Sequence, residues 1–182
     1  SLNLTVTPVN DPPVNAFPGA QATPQDTTLT FSTGNSNLLS ISDIDAGGNV
    51  VDVQLTVTNG KVNFPDLTGL SVVAGANNTA TVTVRGPIAT INTRLDGVQY
   101  IPTTGYNGPD TLTILTDDRG FTGSPGALTD SDTVGISVGT VPAAVTVTDV
   151  TAIEGVGLLF TVTLDNAVAG GTNVNVTLSD VT

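Results

Sequence analysis

Carboxylates are almost the whole chemical repertoire of this chain. Fifteen aspartates and a single glutamate, Glu154, stand among 182 residues that include neither histidine nor cysteine. Without imidazole or thiol the chain cannot build a Ser-His-Asp or Cys-His nucleophile, a His- or Cys-ligated zinc site, or a disulfide scaffold. Paired carboxylates can still cleave glycosides or hold a hard cation. A carbohydrate-cleaving cleft needs aromatic walls, and two Tyr, five Phe and no Trp supply few of them, so an enzyme is not expected. Short aspartates gathered in turns suit calcium, which takes six to eight oxygens at roughly 2.3–2.6 Å and accepts carboxylate, amide and backbone donors together.

The acids cluster at Asp43-Ile44-Asp45, Asp117-Asp118 and Asp130-Ser131-Asp132. Taken alone, an Asp-x-Asp turn is more often a solvated corner than a ligand set. Asp130-Ser131-Asp132 reads as a turn ahead of a strand, and Asp117 as an outward-facing neighbour of Asp118. The net charge is −12, with only Lys61, Arg85, Arg94 and Arg119 on the basic side, so nucleic acid and anionic membrane surfaces would be repelled. No stretch approaches the roughly 20 apolar residues of a membrane helix.

The elements that must position these acids are strands. Counting 32 Thr and 25 Val, the chain is rich in residues that lose rotamer freedom in helices and fit a pleated surface. Leu2, Leu4 and Val6 alternate with polar residues until Asn10-Asp11-Pro12-Pro13, where two prolines end any ladder and stiffen a linker. Residues 1–9 therefore read as the last strand of a preceding domain, with the linker at 10–13. Strands are expected near 28–32 and 37–41. Val51, Val53, Leu55 and Val57 alternate next, and Asn59-Gly60 then leads into Val62 and Phe64, which predicts a β-hairpin. Further strands are expected at 79–84, 98–101, 111–116 and 133–138. The one expected helix opens at Pro87 and carries Ile88, Ile91 and Leu95 on one face. Tyr106 is expected to lay its ring on the core with its hydroxyl at the rim. Strands near 144–150, 158–164 and 172–178 form a second series, too few to close a sandwich. The fold class predicted is an all-β, immunoglobulin- or cadherin-like antiparallel sandwich over 14–140, followed by an incomplete sandwich over 141–182. Ser1 and Thr182 both fall inside alternating patterns, which reads as a piece of a longer chain.

Three segments resemble the cadherin-like tandem repeats of large bacterial adhesins: Val9-Asn10-Asp11-Pro12-Pro13, Ser42-Asp43-Ile44-Asp45-Ala46-Gly47, and Leu95-Asp96-Gly97 through Asp110-Thr111-Leu112. Asp118-Arg119-Gly120 is similar to the Asp-x-Gly segment before the last strand of such repeats. The resemblance implies calcium at the junction between domains, with Asn10, Asp11, Asp43, Asp45 and Asp118 as ligands. Residues 143–182 resemble the opening of a Calx-β domain, which implies Glu154 and Asp180 as further ligands. The chain departs from true cadherins in having no Glu within residues 1–140, and its second junction is Gly139-Thr140-Val141-Pro142. The expected function is a calcium-stabilised structural and adhesive module of a secreted, cell-surface protein. Its partners would be neighbouring repeats and, through other domains, a surface protein or glycan. Without calcium the linker is expected to act as a hinge. The competing expectations are an accessory carbohydrate- or protein-binding module of a secreted enzyme, and a passive spacer without metal.

Overall fold

The computed structural model describes residues 7–121 and 123–139, together with the paired segments 145–146 and 163–164. The chain divides into two compact units, Ser1–Gly139 and Thr140–Thr182.

In the first unit the strands are β1 (Val14–Ala16), β2 (Gln21–Pro24), β3 (Leu29–Thr30), β4 (Ser40–Ser42), β5 (Val50–Thr56), β6 (Gly60–Asn63), β7 (Ser71–Gly75) and β8 (Thr81–Pro87). Helix α1 (Ile88–Leu95) follows, and then β9 (Gln99–Pro102), β10 (Gly108–Asp117) and β11 (Thr129–Gly139). A six-stranded sheet runs in the order β2-β11-β10-β5-β8-β7 and is faced by a three-stranded sheet, β3-β9-β6, and a two-stranded one, β1-β4. All neighbours are antiparallel except β2 and β11, which run parallel. This is the predicted all-β sandwich.

Period-two alternation builds the large sheet. Val51, Val53 and Leu55 of β5, Leu112 and Ile114 of β10, and Val134, Ile136 and Val138 of β11 all point inward and are buried. Phe31, Leu39, Phe64 and Tyr100 fill the space between the layers. Each fully buried Val, Leu or Phe contributes about 1.5–3 kcal/mol, enough for small β-branched residues to make a core with few aromatics. In α1, Ile91 and Leu95 lie one turn apart on the buried face. Asn92 on the same helix serves β4 as a substitute strand. Its Oδ1 accepts from Ile41 N at 2.8 Å, and its Nδ2 donates to Ile41 O at 2.9 Å.

The predicted hairpin at Asn59-Gly60 does not form. β5 pairs with β8 and β10 in the large sheet, whereas β6 pairs with β9 in the other layer, so the bend carries the chain between sheets. Glycine is needed there for close approach: a Cβ on Gly60 would lie 2.5 Å from Cε2 of Tyr100. Asp110 secures the bend, accepting Thr58 N at 3.1 Å, Asn59 N at 2.9 Å and the Tyr100 hydroxyl at 2.9 Å. Burial, and then the hydroxyl's bond to Asp110, push the Tyr100 phenol well above its usual range.

Asp130 and Asp132 also differ from expectation, since they belong to β11 itself rather than to a turn before it. They face the layer that β1 occupies. Asn15 donates its backbone N–H to Asp130 at 2.7 Å and its Nδ2 to Asp132 at 3.2 Å, while its Oδ1 accepts from Thr116 Oγ1 at 2.6 Å. Two acids on an inward face are tolerable because a buried asparagine supplies their donors. Tyr106 behaves as expected: it packs partly buried against the core and donates its hydroxyl to Pro109 O.

In the second unit, β12 (Val145–Thr146) pairs antiparallel with β13 (Thr163–Leu164). The expected strand at 172–178, Glu154 and Asp180 lie outside the described residues.

Candidate metal site

One end of the first unit gathers the linker, the β4–β5 turn and the β10–β11 loop. β5 and β11 begin there and β10 ends there, because the three run antiparallel. Asn10, Asp11, Asp43, Asp45 and Asp118 are all carried on these segments.

Asp43 and Asp45 occupy a tight turn. Asp43 Oδ1 accepts from the backbone N–H groups of Asp45 and Ala46, both at 3.0 Å, which bends the chain and turns the two carboxylates toward each other. Ile44 between them points outward and is 87% exposed. The other oxygen of Asp43, Oδ2, is shut off from solvent and has no hydrogen-bond partner. Burial, followed by the facing Asp45 carboxylate, holds the Asp43 carboxyl above the usual carboxylate range. Asp45 Oδ2 accepts the Asp11 backbone N–H at 2.9 Å, tying the linker to the turn. The Asp11 residue itself is exposed.

Asn10 and Asp118 form the buried half of the site, each only 4% exposed. Asn10 Nδ2 donates to Asp118 Oδ2 at 2.6 Å and to Gly126 O at 2.7 Å. Asp118 Oδ1 accepts from Gly120 N and Leu128 N, both at 2.8 Å. A carboxylate offers about four lone-pair positions, so three bonds leave Asp118 one for another partner, on Oδ2. Gly120 has φ +67°, and a Cβ there would lie 2.3 Å from Ala127 N, so the loop closes around Asp118 only with glycine at that position.

Asp117 faces the other way. It accepts from Arg119 N at 2.7 Å and lies across from Asp52, whose carboxylate is held by Arg85 in a two-pronged pair at 2.5 and 2.6 Å. This outer-face network is neutralised by arginine and offers no cation site.

The expected ligands thus fall into two neighbouring pairs, Asp43 with Asp45 and Asn10 with Asp118, linked through the Asp11 backbone. Among the described residues no three acidic side chains converge closely enough to hold an ion by themselves. The donor chemistry nevertheless fits a hard cation. Two facing acceptors with a buried oxygen lacking any N–H or O–H partner need either a proton or a metal. Sequence reasoning missed Asn15 and Asp110, the buried polar groups that shape the rest of the sandwich. Asn15 stands in no recognisable short motif, and Asp110, though within the segment that carries the resemblance, is not singled out there as the acceptor of the bend.

Fold and site together define a class: an all-β sandwich with an acidic end at which the preceding chain enters. No protein-family model, no curated protein and no solved structure matches this chain.

Proposed function

We propose that the first unit is a calcium-stabilised structural repeat of an extracellular adhesive protein. The observation that carries this reading is the Asp43 Oδ2 oxygen, buried without a hydrogen-bond partner against the Asp45 carboxylate. Calcium would be held by Asp43 and Asp45, with Asp11, the remaining acceptor of Asp118 and the oxygens of Asn10 within the same cluster. A divalent cation there would offset the repulsion between the facing Asp43 and Asp45 carboxylates. Supplementary oxygens would come from water or from the preceding domain, since calcium requires more ligands than this end gathers.

Apolar exposure at the same end supports a junction. Val9, Ile44 and Phe121 are 69%, 87% and 53% exposed, and all three belong to the segments that form it. A neighbouring repeat would cover them. The accessory-module alternative calls for open aromatic faces. Of the described aromatics the exposed ones are Phe17 and Phe121, and Phe121 is already stacked under Arg119, 4.9 Å from the ring centroid.

Thermal unfolding tests the proposal. Millimolar Ca²⁺ is expected to raise Tm above its value in chelator, with Mg²⁺ having little effect, because an ion bound only by the folded state stabilises it. An unchanged Tm would leave a passive spacer.

A further inference from the structure

We propose that residues 8–13 are a strap fastened to this sandwich by protein hydrogen bonds alone, so that Asn10-Asp11-Pro12-Pro13 stays seated and does not act as a hinge when calcium is removed. That the segment would connect tandem domains rests on the proposed function. The fastening of the strap does not, since every partner belongs to this chain.

Val9 forms a parallel bridge with Ser124. Asn10 N donates to Ser124 O at 3.0 Å, and Ser124 N donates back to Pro8 O at 3.3 Å. The Asn10 side chain reaches Asp118 and Gly126, the Asp11 N–H reaches Asp45, and Pro13 is buried. Close approach depends on Gly123, where a Cβ would lie 2.7 Å from Pro8 O. The two prolines then hold the chain extended into β1. None of these bonds uses a metal, so chelation removes no partner of the strap.

Position 10 has to be an amide for this fastening. Its Nδ2 meets two acceptors in a site closed to water, and a carboxylate there would set acceptor against acceptor. Asn10→Asp therefore separates two roles, adding an oxygen that calcium favours while removing the donor that fastens the strap.

Amide hydrogen exchange on the 182-residue chain in chelator provides the test. The Asn10 and Asp11 amides are expected to exchange at least about 100-fold more slowly than in an unstructured chain. Asn10→Asp is expected to speed both by about tenfold or more while leaving the β5 amides unchanged. Gly123→Val should release the strap in the same way without altering any side chain of the clasp. Unprotected amides in the wild-type chain in chelator overturn the proposal, as do unchanged rates in both variants. Slow exchange combined with no Ca²⁺-dependent rise in Tm keeps the strap and removes the calcium reading, so the two fail separately.

Discussion

Asp110→Ala is expected to cost about 3–5 kcal/mol, the largest loss expected from truncating any described polar side chain of the first unit, because it removes the shared acceptor of the buried Tyr100 hydroxyl and of three part-buried backbone N–H groups. The Asp110 carboxylate is only 6% exposed and accepts from Thr58 N, Asn59 N and the Tyr100 hydroxyl, as well as from Thr111 N at 2.8 Å. The bend it fastens is the one that moves the chain from the large sheet to the facing one. Tyr100→Phe removes one donor and leaves the carboxylate its other partners, so its cost should be near 1 kcal/mol. Urea unfolding followed by circular dichroism reads both. The midpoint should fall with an unchanged slope, and the larger effect should belong to Asp110. A loss below about 1 kcal/mol for Asp110→Ala would show that the bend holds without it.

Asp43→Asn should change stability in opposite directions in chelator and in calcium. In chelator the native state keeps Asp43 partly out of water beside Asp45, and its carboxyl titrates above the usual range. The folded chain then binds that proton more readily than the unfolded chain, so folding becomes less favourable as pH rises from the ordinary carboxyl value through the raised one, and levels off above it. An amide has no charge to bury, so at neutral pH the variant should melt above the wild type in chelator, and this contribution to the pH slope should vanish. With Ca²⁺ at about 100 times its Kd, the wild type should gain about 2.7 kcal/mol while the variant gains little. Melting curves at pH 4–8, with and without Ca²⁺, read all of this. A variant less stable than wild type in chelator would mean that Asp43 serves the turn more than it strains it.

Local pattern carried much of the fold. Alternation in β5, β10 and β11 and the spacing of Ile88, Ile91 and Leu95 were legible because each reflects one face of one element. The Asn59-Gly60 bend was misread because the same dipeptide serves a turn within a sheet and a passage between sheets. Only Tyr100 and Asp110, contributed by later strands, decide between the two. β7 was missed for a related reason. As an edge strand exposed along its whole length, it has no buried face to impose a pattern. Asp130 and Asp132 look like turn residues until Asn15, more than a hundred positions earlier, is laid against them. At the acidic end, the Asp43-Ile44-Asp45 turn was visible as a local motif. That Asn10 would spend its amide on Asp118 was not, since the bond spans 108 positions.

The parallel pairing of β2 with β11 bears on how this sandwich would carry load. Residues 21–24 lie in register with 136–139, and Gln25 N also donates to Gly139 O. The strap enters at one end of the sandwich, while β11 runs toward the other. Tension applied at Thr7 and Gly139 would slide these two strands lengthwise past each other, straining their bonds together instead of peeling them apart one at a time. Single-molecule pulling should therefore show one abrupt rupture, and Ala22→Pro, which removes a donor from the pairing segment, should lower its force. A gradual, low-force extension in the unaltered chain would show that the pair bears no load.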